Sequence, residues 1–248
     1  MNIESYLKYL DVEPSEKLTY LYLAKLQMQH MLKIPFENLD IHLNIPIVLN
    51  EEYLFNKIIN NKRGGFCYEL NFLFYNLLKK LGFNVHLLSC SFFHSNINQF
   101  APEFDHLALL VILDQSFLVD VGFGDSFRVP IPIPNGQIKD ISGKYRVFNN
   151  NNEYFLQRLD EENWLTQYKF TLTPRKIEEF AEMCLYHQTS PDTIFTQKKL
   201  CTIATPFGRV TLTDDNLTIT FNRLKEKQII VDSKDFNNKL ASHFGIVL

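Results

Sequence analysis

Tryptophan occurs once, cysteine four times and glycine nine times in 248 residues. The cysteines, Cys67, Cys90, Cys184 and Cys201, form no CxxC pair, which excludes zinc knuckles and thioredoxin-type redox motifs. No apolar run reaches the roughly 18–20 residues of a membrane-spanning helix. The first residues, Met1-Asn-Ile-Glu-Ser-Tyr-Leu-Lys, have neither a basic n-region nor an apolar h-region. Free thiols in a reducing cytoplasm, and no membrane partner, are therefore expected. Neither sign of charge dominates, since 25 Lys and Arg against 28 Asp and Glu leave a net −3. A surface that neutralises nucleic-acid phosphates is not expected. HExxH, GxxxxGK[ST] and GxSxG are missing, and Gly122-Phe-Gly124 lacks the third glycine of a dinucleotide fingerprint. The seven histidines show no metal-ligand spacing, so no metal site is expected.

What the chain has in quantity is aromatic bulk, 22 Phe and 11 Tyr, enough for a large core and for the walls of an apolar pocket. Helical spacing comes first. Ile3, Tyr6, Leu7 and Leu10 form one stripe, and Leu21, Ala24, Met28 and Met31 or Leu32 a second that Pro35 ends. Asn50 is placed to cap a third helix. The clearest helix puts Leu70, Leu73, Phe74, Leu77, Leu78 and Leu81 on one apolar face, starts at about Cys67 and stops at Gly82. Strand-length runs follow at 85–93, 107–113, 117–123, 128–133, 144–148, 154–159 and 164–171. Thr173-Pro174 announces a helix with the stripe Ile177, Phe180, Ala181, Cys184 and Leu185. The end returns to strands at 200–205, 209–213, 217–221 and 228–231, then a helix capped by Ser233 that buries Phe236, Leu240 and Phe244. Helices, then strands, then a mixed end indicate an α+β fold in consecutive layers.

Cys90, Cys184 and Cys201 lie in apolar runs and read as core. Cys67 differs. It follows Arg63-Gly64-Gly65-Phe66 and opens a helix, where the macrodipole and unpaired N–H groups favour a thiolate and could bind an oxyanion. The two glycines allow a sharp turn and close approach of backbone amides. A thiol nucleophile needs a base and an orienting group. His106 opens one strand run, and Asp120 stands inside Leu118-Val-Asp-Val121 of the next, where an unpaired carboxylate is costly. A three-residue hairpin loop, Leu113 to Gln115, sets Asp120 diagonal to His106 on one face. A two-residue loop sets them on opposite faces. The other six histidines read as structural or surface.

Arg63-Gly-Gly-Phe-Cys67-Tyr-Glu-Leu-Asn71, His106 and Val119-Asp120-Val-Gly-Phe-Gly124 together resemble the arylamine N-acetyltransferase family. Pro35 to His42 and Gln188 to Phe195 resemble the flanking segments of that family, in the same order. The resemblance implies a cysteine-protease-like α+β fold. Residues 1–83 would form an N-terminal helical bundle carrying Cys67, residues 84–172 a central β-barrel carrying His106 and Asp120, and residues 173–248 an interdomain helix and a C-terminal α/β lid. It implies a Cys67–His106–Asp120 catalytic triad and a ping-pong reaction of xenobiotic metabolism. Acetyl-CoA, a co-substrate and not a bound cofactor, acetylates Cys67, and an aromatic amine or hydrazine takes the acetyl group. The backbone N–H of Cys67 would serve the oxyanion hole. Phe36, Phe123 and Gly124 resemble acceptor-pocket positions, and Tyr186 a CoA-contacting one. Arg63 and Glu37 would pair to hold the cysteine loop. The same triad also fits an amide synthase using a carrier-bound thioester or a thiol hydrolase, and a catalytically silent ligand-binding module is the reading from another class.

Overall fold

Asn2 and Asp11 bracket the first helix, Ile3–Leu10, by accepting the Ser5 N–H and by turning left-handed. Its Tyr6, Leu7 and Leu10 are buried, as their spacing predicts. The computed structural model describes every residue of the chain except Arg223. The second helix, Tyr20–Lys33, buries Ala24 and Met31 of the expected stripe but leaves Leu21 76% exposed, and Leu23, Leu26, Gln27 and His30 also point inward. Gln27 is buried among them, its amide donating to the carbonyls of Asp120 and Phe127. A polar anchor of that kind is invisible to an apolar count. Asn50 caps Glu51–Phe55 as expected, and that helix runs on into a π-turn, Asn56–Asn60.

The Cys67–Lys80 helix is buried around most of its circumference, which marks a central rather than a surface helix. It packs on the Asn84–His94 and His106–Ile112 strands. Those two belong to a nine-stranded antiparallel sheet, ordered Ile131–Ile133, Ser116–Val119, His106–Ile112, Asn84–His94, Asn163–Phe170, Glu153–Asp160, Gly143–Asn150 and Gln137–Asp140, with Gln99–Phe100 beside Asn84–His94. The sheet is nearly closed. Gly136, between its two edge strands, accepts from Val147 N–H and donates to the Pro132 carbonyl. Strand alternation divides the two cores. Val85 and Leu87 face the helices, and Leu88 and Cys90 fill the barrel with Tyr168 and Phe170.

A second antiparallel sheet joins the ends of the chain. Its order is Phe36–Glu37, Leu200–Thr205, Gly208–Thr213, Asn216–Phe221 and Leu224–Ile229. The last helix, Ser233–Phe244, covers it with Phe236, Leu240 and Phe244. The fold is therefore α+β with helical, barrel and mixed parts.

Several boundaries differ from the sequence expectation. Asp232, not Ser233, caps the last helix. The final strand lies at Leu224–Ile229 rather than 228–231. Thr173-Pro174 starts no helix, because Arg175 instead donates its N–H to Leu87. A 3₁₀ turn, Ile177–Phe180, then leads into Ala181–Thr189, where Leu185 is exposed. The expected strand 128–133 shrinks to Ile131–Ile133, since Arg128 is drawn into side-chain bonds to Ser142, Thr205 and Gly208. The expected strand 117–123 stops at Val119.

Candidate active site

The sheet register decides which residues can meet. Ile112 pairs with Ser116 and Leu109 with Val119, so the hairpin loop has three residues, Leu113 to Gln115. The ladder ends before Asp120, which swings onto His106 with Oδ2 2.8 Å from Nε2. Asp120 is fully buried and carries four donors. Oδ1 accepts from Asn71 Nδ2 and the Gly122 N–H, both at 2.9 Å. Oδ2 accepts from the Tyr168 hydroxyl at 3.1 Å beside His106. An ionised carboxylate so surrounded needs no further counter-group.

Asn71 connects this carboxylate to the thiol. It lies one helical turn after Cys67, fully buried, and also bonds the Leu107 carbonyl and the Val121 N–H. One amide thus pins the cysteine helix to both barrel strands. Gly122 completes the join, because a Cβ there would lie 2.8 Å from Cys67 Cα and 2.6 Å from the Asn71 amide.

Burial pushes the Cys67 thiol well up, and the Asp105 carboxylate adds to this, while a hydrogen bond from the Leu107 N–H opposes it. Burial thus acts against the helix position in setting this thiol. In a dry site the sulfur loses its proton only to a partner that becomes its counter-ion. His106 directly precedes Leu107 in the chain and is held by Asp120.

Of the other candidate positions, Phe123 packs its ring on His106 and Tyr168, at 5.1 and 5.3 Å between centroids. Phe36 is buried and faces Gly124, whose φ of +83° favours glycine. Phe36 and Gly124 line a cavity of about 10 Å³ with Val121, Thr202 and Arg209, room for about one water. An aromatic ring enters there only if these walls move. Tyr186 is not part of this group. It is 41% exposed on the Ala181–Thr189 helix, with its ring against His187.

The loop before Cys67 is built differently from expectation. Gly64 and Gly65 serve packing, since a Cβ on Gly64 would collide with the Pro35 carbonyl and one on Gly65 with Glu69. Arg63 does reach Glu37, with Nε 3.0 Å from Oε1, and also Asp40 at 2.7 Å. Lys57, aimed inward by the π-turn, bonds Asp40 and Glu69 at 2.7 Å each. Glu69 in turn accepts the Phe66 N–H at 3.1 Å. Three buried carboxylates thus share two cations.

The excess negative charge falls on Glu69. Burial, with the Glu37 carboxylate nearby, raises it to about 7 from an ordinary 4.5, against the pull of Lys57. A carboxyl raised on folding stabilises the fold below its unfolded value and loses that contribution as pH rises through the folded value. Asp40, lowered from 3.8 by Lys57 and Arg63 despite burial, acts only in the acid range below. Between pH 5 and 8 the protein should therefore lose up to about 3 kcal/mol relative to Glu69→Gln. Urea unfolding of both proteins across that range checks it, and parallel curves would refute the assignment.

Sequence reasoning passed over Asn71, Tyr168, Lys57 and the pair His187–Asp105. The one local signal was polarity at a position that helical or strand periodicity makes inward-facing, as at Asn71. Among the described residues no helix is long and apolar enough to cross a membrane.

A family model described as N-acetyltransferase matches residues 20–248. Arylamine N-acetyltransferase 2 of Mesocricetus auratus is 31% identical over all of this chain and 95% of its own length. The solved arylamine N-acetyltransferase from Salmonella typhimurium superposes with a TM-score of 0.93 at 29% identity, over 98% of this chain and 90% of that one. One from Bacillus cereus, described as having a unique Cys-His-Glu catalytic triad, gives 0.92 at 28% identity over the whole of both chains.

Proposed function

The chain belongs to the arylamine N-acetyltransferase family, and from that premise we propose that it moves an acetyl group from acetyl-CoA to an aromatic amine or hydrazine through an acetyl-Cys67 intermediate. The observation that carries the reading is the buried His106–Asp120 pair at 2.8 Å, locked by Asn71 to the helix that Cys67 opens.

Each side chain then has a task. His106 takes the Cys67 proton as the sulfur attacks the thioester carbonyl. The backbone N–H of Cys67, at the first position of its helix, has no partner within that helix and suits the developing oxyanion. The tetrahedral adduct collapses, CoA leaves, and the imidazolium returns a proton to the CoA thiolate. The incoming amine attacks the acetyl-cysteine carbonyl and His106 removes its proton. Collapse frees the Cys67 sulfur and the N-acetyl product. Asp120 keeps a proton on Nε2, which leaves Nδ1 as the basic nitrogen, and it stabilises the imidazolium. Phe123 and Phe36, with Gly124, form the acceptor walls, and because the cavity at Phe36 is so small, acceptor binding moves one of them. Tyr186, half exposed, is available to CoA.

Intact mass after brief exposure to acetyl-CoA, without amine, tests this. One acetyl adduct is expected on the native protein and none on Cys67→Ala, and an aromatic amine should discharge it. Folded protein that takes no acetyl group and releases no CoA would redirect the reading to a carrier-bound donor or a binding role. Adduct loss without amine would indicate a hydrolase.

A further inference from the structure

A second histidine–carboxylate pair lies beside the first. His187 is 6% exposed. Its Nε2 is 3.1 Å from Asp105 Oδ1, and its Nδ1 is 3.0 Å from Thr193 Oγ1. Asp105 directly precedes His106. The carbonyls of Phe104 and Asp105 both accept the Tyr68 hydroxyl, at 2.7 and 3.0 Å, and Tyr68 directly follows Cys67. The two-residue segment that delivers His106 is thus held by the cysteine helix on one side and by His187 on the other. The His187 ring is enclosed by Phe195 at 5.1 Å, Tyr186 at 5.5 Å and Tyr68 at 6.1 Å. Phe195 also packs on Phe66, the residue before Cys67.

The Thr193 hydroxyl makes the pair adaptable. A neutral His187 donates from Nε2 to Asp105 and accepts the Thr193 O–H at Nδ1. An imidazolium donates from both nitrogens, with the Thr193 oxygen as acceptor. Either state is satisfied without moving a backbone atom. The charge matters because Asp105 is the strongest charged influence on the Cys67 thiol after burial itself. A carboxylate there opposes every step that places negative charge on the sulfur. Neither nitrogen of His187 is used by the chemistry proposed above.

We propose that His187 is a positioning residue that offsets the Asp105 carboxylate, one residue before His106, and fixes the approach of His106. This rests on the reading of Cys67 as the nucleophile. The titratable groups acting on Cys67 are Asp105, Cys184 and Asp120, with His106 beside them. Those against His187 are Asp105 and the phenols of Tyr68 and Tyr186. Cys184, one turn earlier on the same helix, is itself pushed up to about 12 by burial and by Glu69, so it stays a neutral thiol.

The test is the pH dependence of Cys67 alkylation by iodoacetamide, followed by intact mass, with Cys67→Ala as background for the three other thiols. His187→Gln leaves Asp105 without its imidazole partner. Its alkylation midpoint should rise, and the rate at pH 7 should fall roughly three- to tenfold, since each pKa unit is tenfold in thiolate. Asp105→Asn should move the midpoint down, and adding His187→Gln to it should not move it again. A role confined to packing would lower melting temperature in both single variants and leave the midpoints in place, or move them the same way. Either result overturns the proposal. If His187→Gln does not fold, Asp105→Asn alone decides, because an unmoved or raised midpoint contradicts the charge argument. Acetylation of the native protein by acetyl-CoA is measured in parallel. Its absence overturns the function proposed above, and its presence with unmoved midpoints overturns only the role of His187.

Discussion

Replacing Asp120 by asparagine should lower acetyl transfer by on the order of 10³–10⁴-fold, the scale of carboxylate-to-amide changes in other nucleophile–histidine–carboxylate sites. The environment dictates how the new amide must sit. Asn71 and the Gly122 N–H both donate to Oδ1, so the amide oxygen stays on that side and the NH₂ replaces Oδ2. There it faces His106 Nε2 and the Tyr168 hydroxyl. The amide donates where the carboxylate accepted, which forces the His106 proton onto Nδ1. An imidazole with its proton on Nδ1 cannot take one from Cys67. Single-turnover CoA release reads the loss, and ¹⁵N shifts of His106 should show the exchanged tautomer. Asp120→Glu keeps both acceptor oxygens and should retain more activity than the asparagine variant. An asparagine variant with full activity would remove Asp120 from the mechanism.

Lys57→Met should destabilise the protein by about 3–5 kcal/mol, the usual cost of removing one partner from a buried charge pair. For a chain of this size that corresponds to a melting temperature lower by roughly 10 °C. Lys57 is 7% exposed and bonds Asp40 and Glu69 at once. Without it only Arg63 opposes three carboxylates. Arg63 is committed to Glu37 and Asp40 and does not reach Glu69 in this arrangement. Combining Lys57→Met with Asp40→Asn and Glu69→Gln should recover much of the loss. Calorimetry of the single and triple variants checks both statements, and a single variant within 1 °C of the parent would show that the cluster contributes little. The consequence for function is positional, because Glu69 holds the Phe66 N–H and Arg63 begins the segment that ends in Cys67.

The sequence by itself determined the elements whose signals are local. The stripe from Leu70 to Leu78 and the stop at Gly82 define a helix that starts at Cys67. Asn50 announces its cap, and Asn151 and Asn152, both with positive φ, turn between the strands expected at 144–148 and 154–159. Cys67, His106 and Asp120 also stood out locally, as a helix-opening thiol, a strand-opening imidazole and a carboxylate among valines. Such signals act over two to four residues, the range in which backbone propensity and side-chain periodicity operate.

Only the tertiary structure decided the rest. Two hairpin loop lengths were compatible with the residues, and the Ile112–Ser116 pairing selected the one that brings Asp120 to His106. The two-residue strand Phe36–Glu37 exists because Cys201 and Thr202 lie alongside it. Gln27 is buried because it bonds residues about 100 positions later. Asn71, Tyr168 and His187 look inert in isolation and acquire meaning from partners 49, 48 and 82 residues away. The physical reason is the same in each case. A buried polar group is tolerated only where a matching donor or acceptor is already held in place, and which groups match is settled by the packing of distant segments.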